Sequence, residues 1–130
     1  EEKTVGNKKK LKILIAEDDR ISSEYLNEIL KAKNIDIFLV GNGKEAVKLC
    51  EERSDIDLVL MDIKMPEMDG KEATRDIKSI RPDLPIVAQT AYALDDERDT
   101  ILHEGFDAYI AKPIQRADIM AIIDRLVNKS

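Results

Sequence analysis

Apolar and polar positions along the chain repeat one rhythm five times. Residues 11–16 are a short apolar run that ends in Glu17-Asp18-Asp19, and Ile21, Tyr25, Leu26, Ile29 and Leu30 then recur at helical spacing. Residues 35–40 are apolar and β-branched and close on Gly41-Asn42-Gly43; Ala46, Val47, Leu49 and Cys50 mark one side of the next helix. A third strand over 58–61 stops at Asp62. Met65-Pro66-Glu67-Met68-Asp69-Gly70 is punctuated as a loop, and Ala73, Ile77 and Ile80 predict a helix ended by Pro82. The pattern finishes with a strand over 85–89, a helix over 94–104 stopped by Gly105, a strand over 107–110 and a helix over 114–128.

Strands that read as continuous apolar runs are covered on both faces. Strand and helix in alternation imply parallel pairing through right-handed crossovers. The expected architecture is a doubly wound α/β fold, a five-stranded parallel sheet of order 2-1-3-4-5 with five helices. Five strands are too few for an eight-stranded barrel. Residues 1–10 read as a linker or expression remnant, and 11–130 as one domain. Ligands of such sheets bind beyond the carboxyl ends of the strands, near the switch point between strands 1 and 3.

Composition narrows the partners. The 130 residues carry a formal charge of −6, which argues against broad binding of nucleic acid or of an anionic membrane. One cysteine, Cys50, excludes an internal disulfide, and one histidine, His103, excludes a histidine-rich metal site. No apolar run approaches the roughly 20 residues of a membrane span, and no secretory signal is present. A cytoplasmic domain is expected. The absent initiator Met suggests a processed protein or a piece of a longer one, with a membrane-anchored parent left open.

The strand ends carry the candidate chemistry. Strand 1 ends in Glu17-Asp18-Asp19, strand 3 in Asp62, strand 4 in Thr90, and strand 5 just before Lys112. Crowded carboxylates repel one another unless a cation intervenes. With no histidine or cysteine to make a soft site, a hard oxygen-seeking ion such as Mg2+ is expected. Three carboxylates balanced by one lysine and one divalent ion can admit a dianionic phosphoryl group. Asp62 is then a nucleophile able to form an aspartyl phosphate. Taken singly, each signal has a plainer reading: Glu17-Asp18 as charge at a helix start, Thr90 as a helix cap. Their arrival on one edge of one sheet is what those readings leave unexplained.

With these residues the chain resembles the receiver domain of two-component signalling, over about residues 10–128. The marks are Ile13-Leu14-Ile15-Ala16-Glu17-Asp18-Asp19, Leu60-Met61-Asp62-Ile63-Lys64-Met65-Pro66-Glu67-Met68-Asp69-Gly70, Gln89-Thr90-Ala91 and Tyr109-Ile110-Ala111-Lys112-Pro113. The resemblance implies the flavodoxin-like receiver fold, with Asp62 as phosphoacceptor. It implies a Mg2+ site of Glu17, Asp18, Asp62 and the backbone carbonyl of Lys64, with Glu17 acting through a metal-bound water. Asp19 opens the first helix. Thr90 and Lys112 match the hydroxyl and lysine that meet the phosphoryl group, Tyr109 the aromatic switch, and Lys112-Pro113 a cis peptide. Lys64 and Tyr92 occupy positions that tune phosphoryl lifetime, and Gln89 is polar where the family usually has an apolar strand residue. His103 reads as a surface residue and Cys50 as a small helix hydrophobe.

The function implied is phosphorelay signalling: Asp62 takes a phosphoryl group from phosphohistidine on a histidine kinase or histidine phosphotransfer domain. The surface around the fourth helix, fifth strand and fifth helix then changes. Docking is expected at the first helix, Arg20 to Tyr25, and at Pro113-Ile114, with no direct contact to nucleic acid or membrane. The polar lead-in leans towards the carboxy-terminal receiver of a hybrid histidine kinase. Rival chemistries fail on particular residues. A haloacid-dehalogenase-type phosphatase or a Toprim nuclease wants a second acid at the place of Lys64, and Glu17-Asp18-Asp19 would repel the phosphate of a flavodoxin cofactor. The alternative that survives is a pseudo-receiver, a docking module that is never phosphorylated.

Overall fold

A computed structural model describes residues 10–32, 34–65, 67–91 and 101–127. The strands are Leu11–Ala16 (β1), Ile35–Val40 (β2), Leu58–Asp62 (β3), Ile86–Thr90 (β4) and Ala108–Ala111 (β5). The helices are Arg20–Leu30 (α1), Gly43–Glu52 (α2), Gly70–Ile80 (α3), a segment at 101–103 (α4) and Arg116–Leu126 (α5). The sheet order is β2-β1-β3-β4-β5 with every neighbouring pair parallel, as the sequence pattern predicts. Residues 1–9 of the linker expected over 1–10, Pro66, Tyr92, most of the 94–104 helix and Asn128 lie outside the described residues.

Because successive strand residues point to opposite faces, each run feeds two cores. Leu14, Ala16, Val59, Met61, Ile86 and Ala88 pack with Ala46, Cys50, Ala73 and Ile77 of α2 and α3. Ile13, Ile15, Leu58, Leu60, Val87 and Ile110 pack with Leu26 and Leu30 of α1 and with Ile119 and Ile123 of α5. Each fully buried Leu or Ile contributes about 1.5–3 kcal/mol, so the two layers fix the sheet and hence the position of its rim.

Polar residues set the helix starts. The Asp19, Asn42 and Asp69 side chains accept from the backbone N–H of Ser22, Glu45 and Glu72 at 3.0, 2.8 and 3.0 Å. Gly105 has φ +103°, and its N–H donates to Leu102 O, matching its expected role as a stop. Two strands begin one residue later than expected, at Ile86 and Ala108. Pro85 has no N–H to give the ladder, and the Asp107 carboxylate is turned to the Ile86 N–H at 2.8 Å. The last helix also begins later, at Arg116, with Gln115 as its N-cap, and the Lys112-Pro113 peptide that precedes it is cis, as expected.

Candidate functional site

The carboxyl ends of β1, β3, β4 and β5 open into one cavity of about 660 Å3. Glu17, Asp18, Asp62, Lys64, Thr90 and Lys112 line it, together with Asp19, Ser22, Ile63, Lys71, Gln89, Ala91 and Ile101. Its position follows from the sheet. β1 and β3 are neighbours at the point where the strand order reverses, so the connections that follow them leave for opposite faces of the sheet and a crevice remains between. Glu17, Asp62 and Thr90 are 3%, 6% and 7% exposed, so they face each other in a region with little water to screen them. Asp18 stands at the open side.

Glu17, Asp18 and Asp62 each offer a carboxylate oxygen, and these oxygens lie within 4.8 Å of one another. Lys112 Nζ stands 3.2 Å from Glu17 Oε1 and 3.2 Å from Asp62 Oδ2. Backbone amides complete the hold: Asp19 N–H donates to Glu17 Oε2 at 3.1 Å, and Lys64 N–H to Asp62 Oδ1 at 3.2 Å. The Lys112 N–H donates to Thr90 O at 2.8 Å, which ties the lysine to the end of β4.

One ammonium cannot neutralise two carboxylates, and Glu17 and Lys112 are both shifted in that sense. Burial, aided by the Asp62 charge, raises Glu17 to about 7 against the opposing pull of the Asp19 N–H and Lys112. Burial alone would lower Lys112, yet the Asp62 and Glu17 charges override it and raise the ammonium above its ordinary value. Asp19 differs from its two acidic neighbours: hydrogen bonds from Ser22 hold it below the usual carboxylate range, and it works as the α1 cap. The oxygen-only donor set fits a hard divalent ion that keeps several waters, the class to which Mg2+ belongs.

The structure therefore brings together Glu17, Asp18, Asp62, Lys64, Thr90 and Lys112. Tyr109 is half-buried on β5 and packs against the core on the α2–α3 side. His103 is exposed on α4 and Cys50 is buried in α2, away from the rim. Ser22 and Lys71 line the cavity without having been singled out from the sequence. For Ser22 a signal existed, since it stands three residues after the capping Asp19. A second groove of about 430 Å3 runs alongside between α1 and the β5–α5 turn, bordered by Ile21, Tyr25, Leu26, Pro113, Ile114 and Gln115. Ile21 is 77% exposed there, and the Tyr25 hydroxyl donates to Ile114 O.

The model of the response regulator receiver domain matches residues 13–124. A hybrid signal transduction histidine kinase of Dictyostelium discoideum is 32% identical over 126 residues, covering 91% of this chain, which spans 7% of that kinase. Among solved structures, the receiver domain of a Pseudomonas aeruginosa sensor histidine kinase has a TM-score of 0.84 and 33% identity. The match covers 92% of this chain and 99% of that one, which holds a magnesium ion in its active-site cleft. The receiver domain of Saccharomyces cerevisiae Ssk1, solved with the histidine phosphotransfer protein Ypd1, gives a TM-score of 0.83 at 27% identity, covering 92% and 90% of the two chains.

Proposed function

The chain belongs to the response regulator receiver domain family, and from that premise we propose that it is a Mg2+-dependent phosphoacceptor in a phosphorelay, with Asp62 as the acceptor. One observation carries the reading. Three carboxylate oxygens within 4.8 Å face one lysine at the mouth of a single cavity, an arrangement short of positive charge until a cation joins it.

In the transfer, an Asp62 carboxylate oxygen forms a bond to phosphorus as the phosphorus–nitrogen bond of a phosphohistidine breaks. The leaving imidazole nitrogen keeps the electron pair. Lys112 follows the developing charge on a phosphoryl oxygen, and the Thr90 hydroxyl donates to another. Glu17, Asp18, Asp62 and the Lys64 backbone carbonyl would hold the Mg2+, which supplies charge neutralisation on the phosphoryl oxygens. Lys64 and Tyr92 govern water access to the product.

The donor is a histidine kinase or a histidine phosphotransfer domain, a reading supported by the Ssk1–Ypd1 neighbour. Its docking face is α1 from Arg20 to Tyr25 with Pro113-Ile114, the apolar groove beside the cavity. Movement of Thr90 and inward rotation of Tyr109 then shift a two-state equilibrium at the face of α4, β5 and α5. The parent is a cytoplasmic or membrane-anchored signalling protein such as a hybrid kinase; no helix among the described residues is long and apolar enough to cross a membrane.

Intact mass after incubation with a small phosphodonor and Mg2+ tests the reading. A single phosphoryl gain, absent in Asp62→Asn and with chelator, is expected. No gain even with a phosphorylated histidine phosphotransfer partner would leave the docking-only pseudo-receiver, and a gain that survives in Asp62→Asn would move the acceptor elsewhere.

A further inference from the structure

Gln89 lies at the rim, and the transfer just described gives it no task. The residue is fully buried, and neither Oε1 nor Nε2 has a hydrogen-bond partner. A primary amide offers two donors and an acceptor, and burying it without a partner raises the energy of the arrangement that does so. A methionine or leucine would fill the same place with nothing to strand.

Register places the amide next to the chemistry. Gln89 pairs with Asp62 on one side and with Ile110 on the other. All three point to the sheet face that holds Leu60 and Val87, and Lys112 lies two residues beyond Ile110 on that face. Gln89, Lys112, Glu17 and Ser22 line both the 660 Å3 cavity and the 430 Å3 groove, so they form the wall between the two. In this wall the Lys112 ammonium leans on Glu17 and Asp62 at 3.2 Å each.

We infer that Gln89 is a positioning residue for Lys112, its Oε1 accepting an ammonium N–H when Asp62 carries the phosphoryl group. The inference rests on the phosphoacceptor reading of Asp62. A phosphorylated Asp62 no longer offers Lys112 a full carboxylate; the ammonium turns to a phosphoryl oxygen, and of its three N–H groups one is left for a further acceptor. A neutral acceptor takes one of them without adding negative charge to a rim that already has too much. The stranded amide raises the energy of the resting arrangement and the new bond lowers that of the phosphorylated one. Both effects push the population the same way.

Gln89→Met and Gln89→Leu test this through thermal midpoints measured with and without beryllofluoride and Mg2+, beside the rate of phosphoryl uptake from a small donor. Both variants are expected to raise the midpoint of the resting protein and to reduce the further rise on adding beryllofluoride. Uptake slows by about tenfold, the worth of one hydrogen bond. Equal midpoint shifts in both states would overturn the inference, since the amide would then be stranded or satisfied alike in each. A lower resting midpoint would overturn it too, by showing that the amide is already paired at rest. A wild type that takes up no phosphoryl group and does not respond to beryllofluoride would overturn the phosphoacceptor reading along with it. On the unmutated protein, the Gln89 side-chain amide signals in an NMR spectrum move and exchange more slowly with beryllofluoride; unchanged signals would count against the bond without any variant having to fold.

Discussion

At the amino ends of the strands, charge is consumed by backbone. Asp57 accepts from the Lys12 N–H at 2.8 Å, Asp107 from the Ile86 N–H at 2.8 Å, and Arg81 donates to Ile56 O at 2.9 Å. Lys78 Nζ reaches Asp107 and Leu84 O, both at 2.8 Å. At the carboxyl ends, charge faces charge: Glu17 and Asp62 divide one ammonium, Asp18 stands beside them, and the Gln89 amide has no partner. The first end pins loops to strands. The second holds groups in an arrangement that something else must complete, and that is the physical mark of a site rather than of a scaffold.

The strongest way to break this division is a lesion of fold placed at the functional end. Gly70 opens α3, and a Cβ there would stand 2.2 Å from Asp62 O and 2.9 Å from Ile63 Cα. Those are backbone atoms of the candidate acceptor and its neighbour, so they cannot swing aside. Gly70→Ala is expected to cost about 3 kcal/mol or more in urea unfolding. It should also slow phosphoryl uptake by moving Asp62. Unchanged stability would mean that the β3–α3 loop yields easily and that the rim is not braced by the start of α3.

Next in size is the removal of the shared counter-charge. Lys112→Met leaves Glu17 and Asp62 facing each other. The expected loss is about 2 kcal/mol, below the usual cost of breaking a buried pair because Glu17 can take up a proton. Combining it with Asp62→Asn sharpens the comparison. With the repulsion already relieved, the double variant should lose less than the sum of the single ones. Strict additivity would show that Lys112 serves each acid independently.

The counterpart at the other end is Lys78→Met, which removes the contacts to Asp107 and Leu84 O. It should cost about 1–2 kcal/mol by the same unfolding measurement. Phosphoryl uptake should stay at the wild-type rate. A slowed uptake would mean that the two ends of the sheet are coupled through β4 and β5.

The contrast also explains how far the sequence could be read. The sheet order and both cores were legible because unbroken apolar runs separated by amphipathic helices admit few parallel arrangements. The rim was legible because Asp62, Thr90 and Lys112 stand at strand ends, which the topology gathers whatever the loops do. Strand starts at Ile86 and Ala108 were missed by one residue, since the deciding bond, Asp107 to Ile86 N–H, joins residues 21 apart. The condition of Gln89 was hidden for the same reason. Its type can be read from one chain, but its lack of partners depends on side chains of β3, β5 and α1. Three acids in a row also look alike by composition; the resemblance set Asp19 apart as the opening of α1, and the geometry supplies its cap bond and the cluster that Glu17 and Asp18 form with Asp62.

The smallest expected effect compares two buried acids, and it shows that burial alone does not make a site. Burial is the leading cause that raises Glu17 to about 7 and Cys50 to about 11. Glu17 has Asp62, Asp18 and Lys112 for company, whereas Cys50, 2% exposed among the side chains of α2 and its core, feels only a weak opposing pull from Arg81. Its thiol should therefore stay protonated in the fold at pH 8, and iodoacetamide should label it at the rate at which the α2 face opens. The sign of the pH effect follows. A thiol raised in the native state binds its proton more tightly there than when unfolded, so the contribution is intact below about pH 9 and is lost as pH rises from there towards 11. Cys50→Ala should flatten the fall in stability over that window relative to wild type. Labelling as fast in buffer as in urea would show instead that the α2 face is open in the native protein, and the contrast between a quiet core and a charged rim would lose one of its sides.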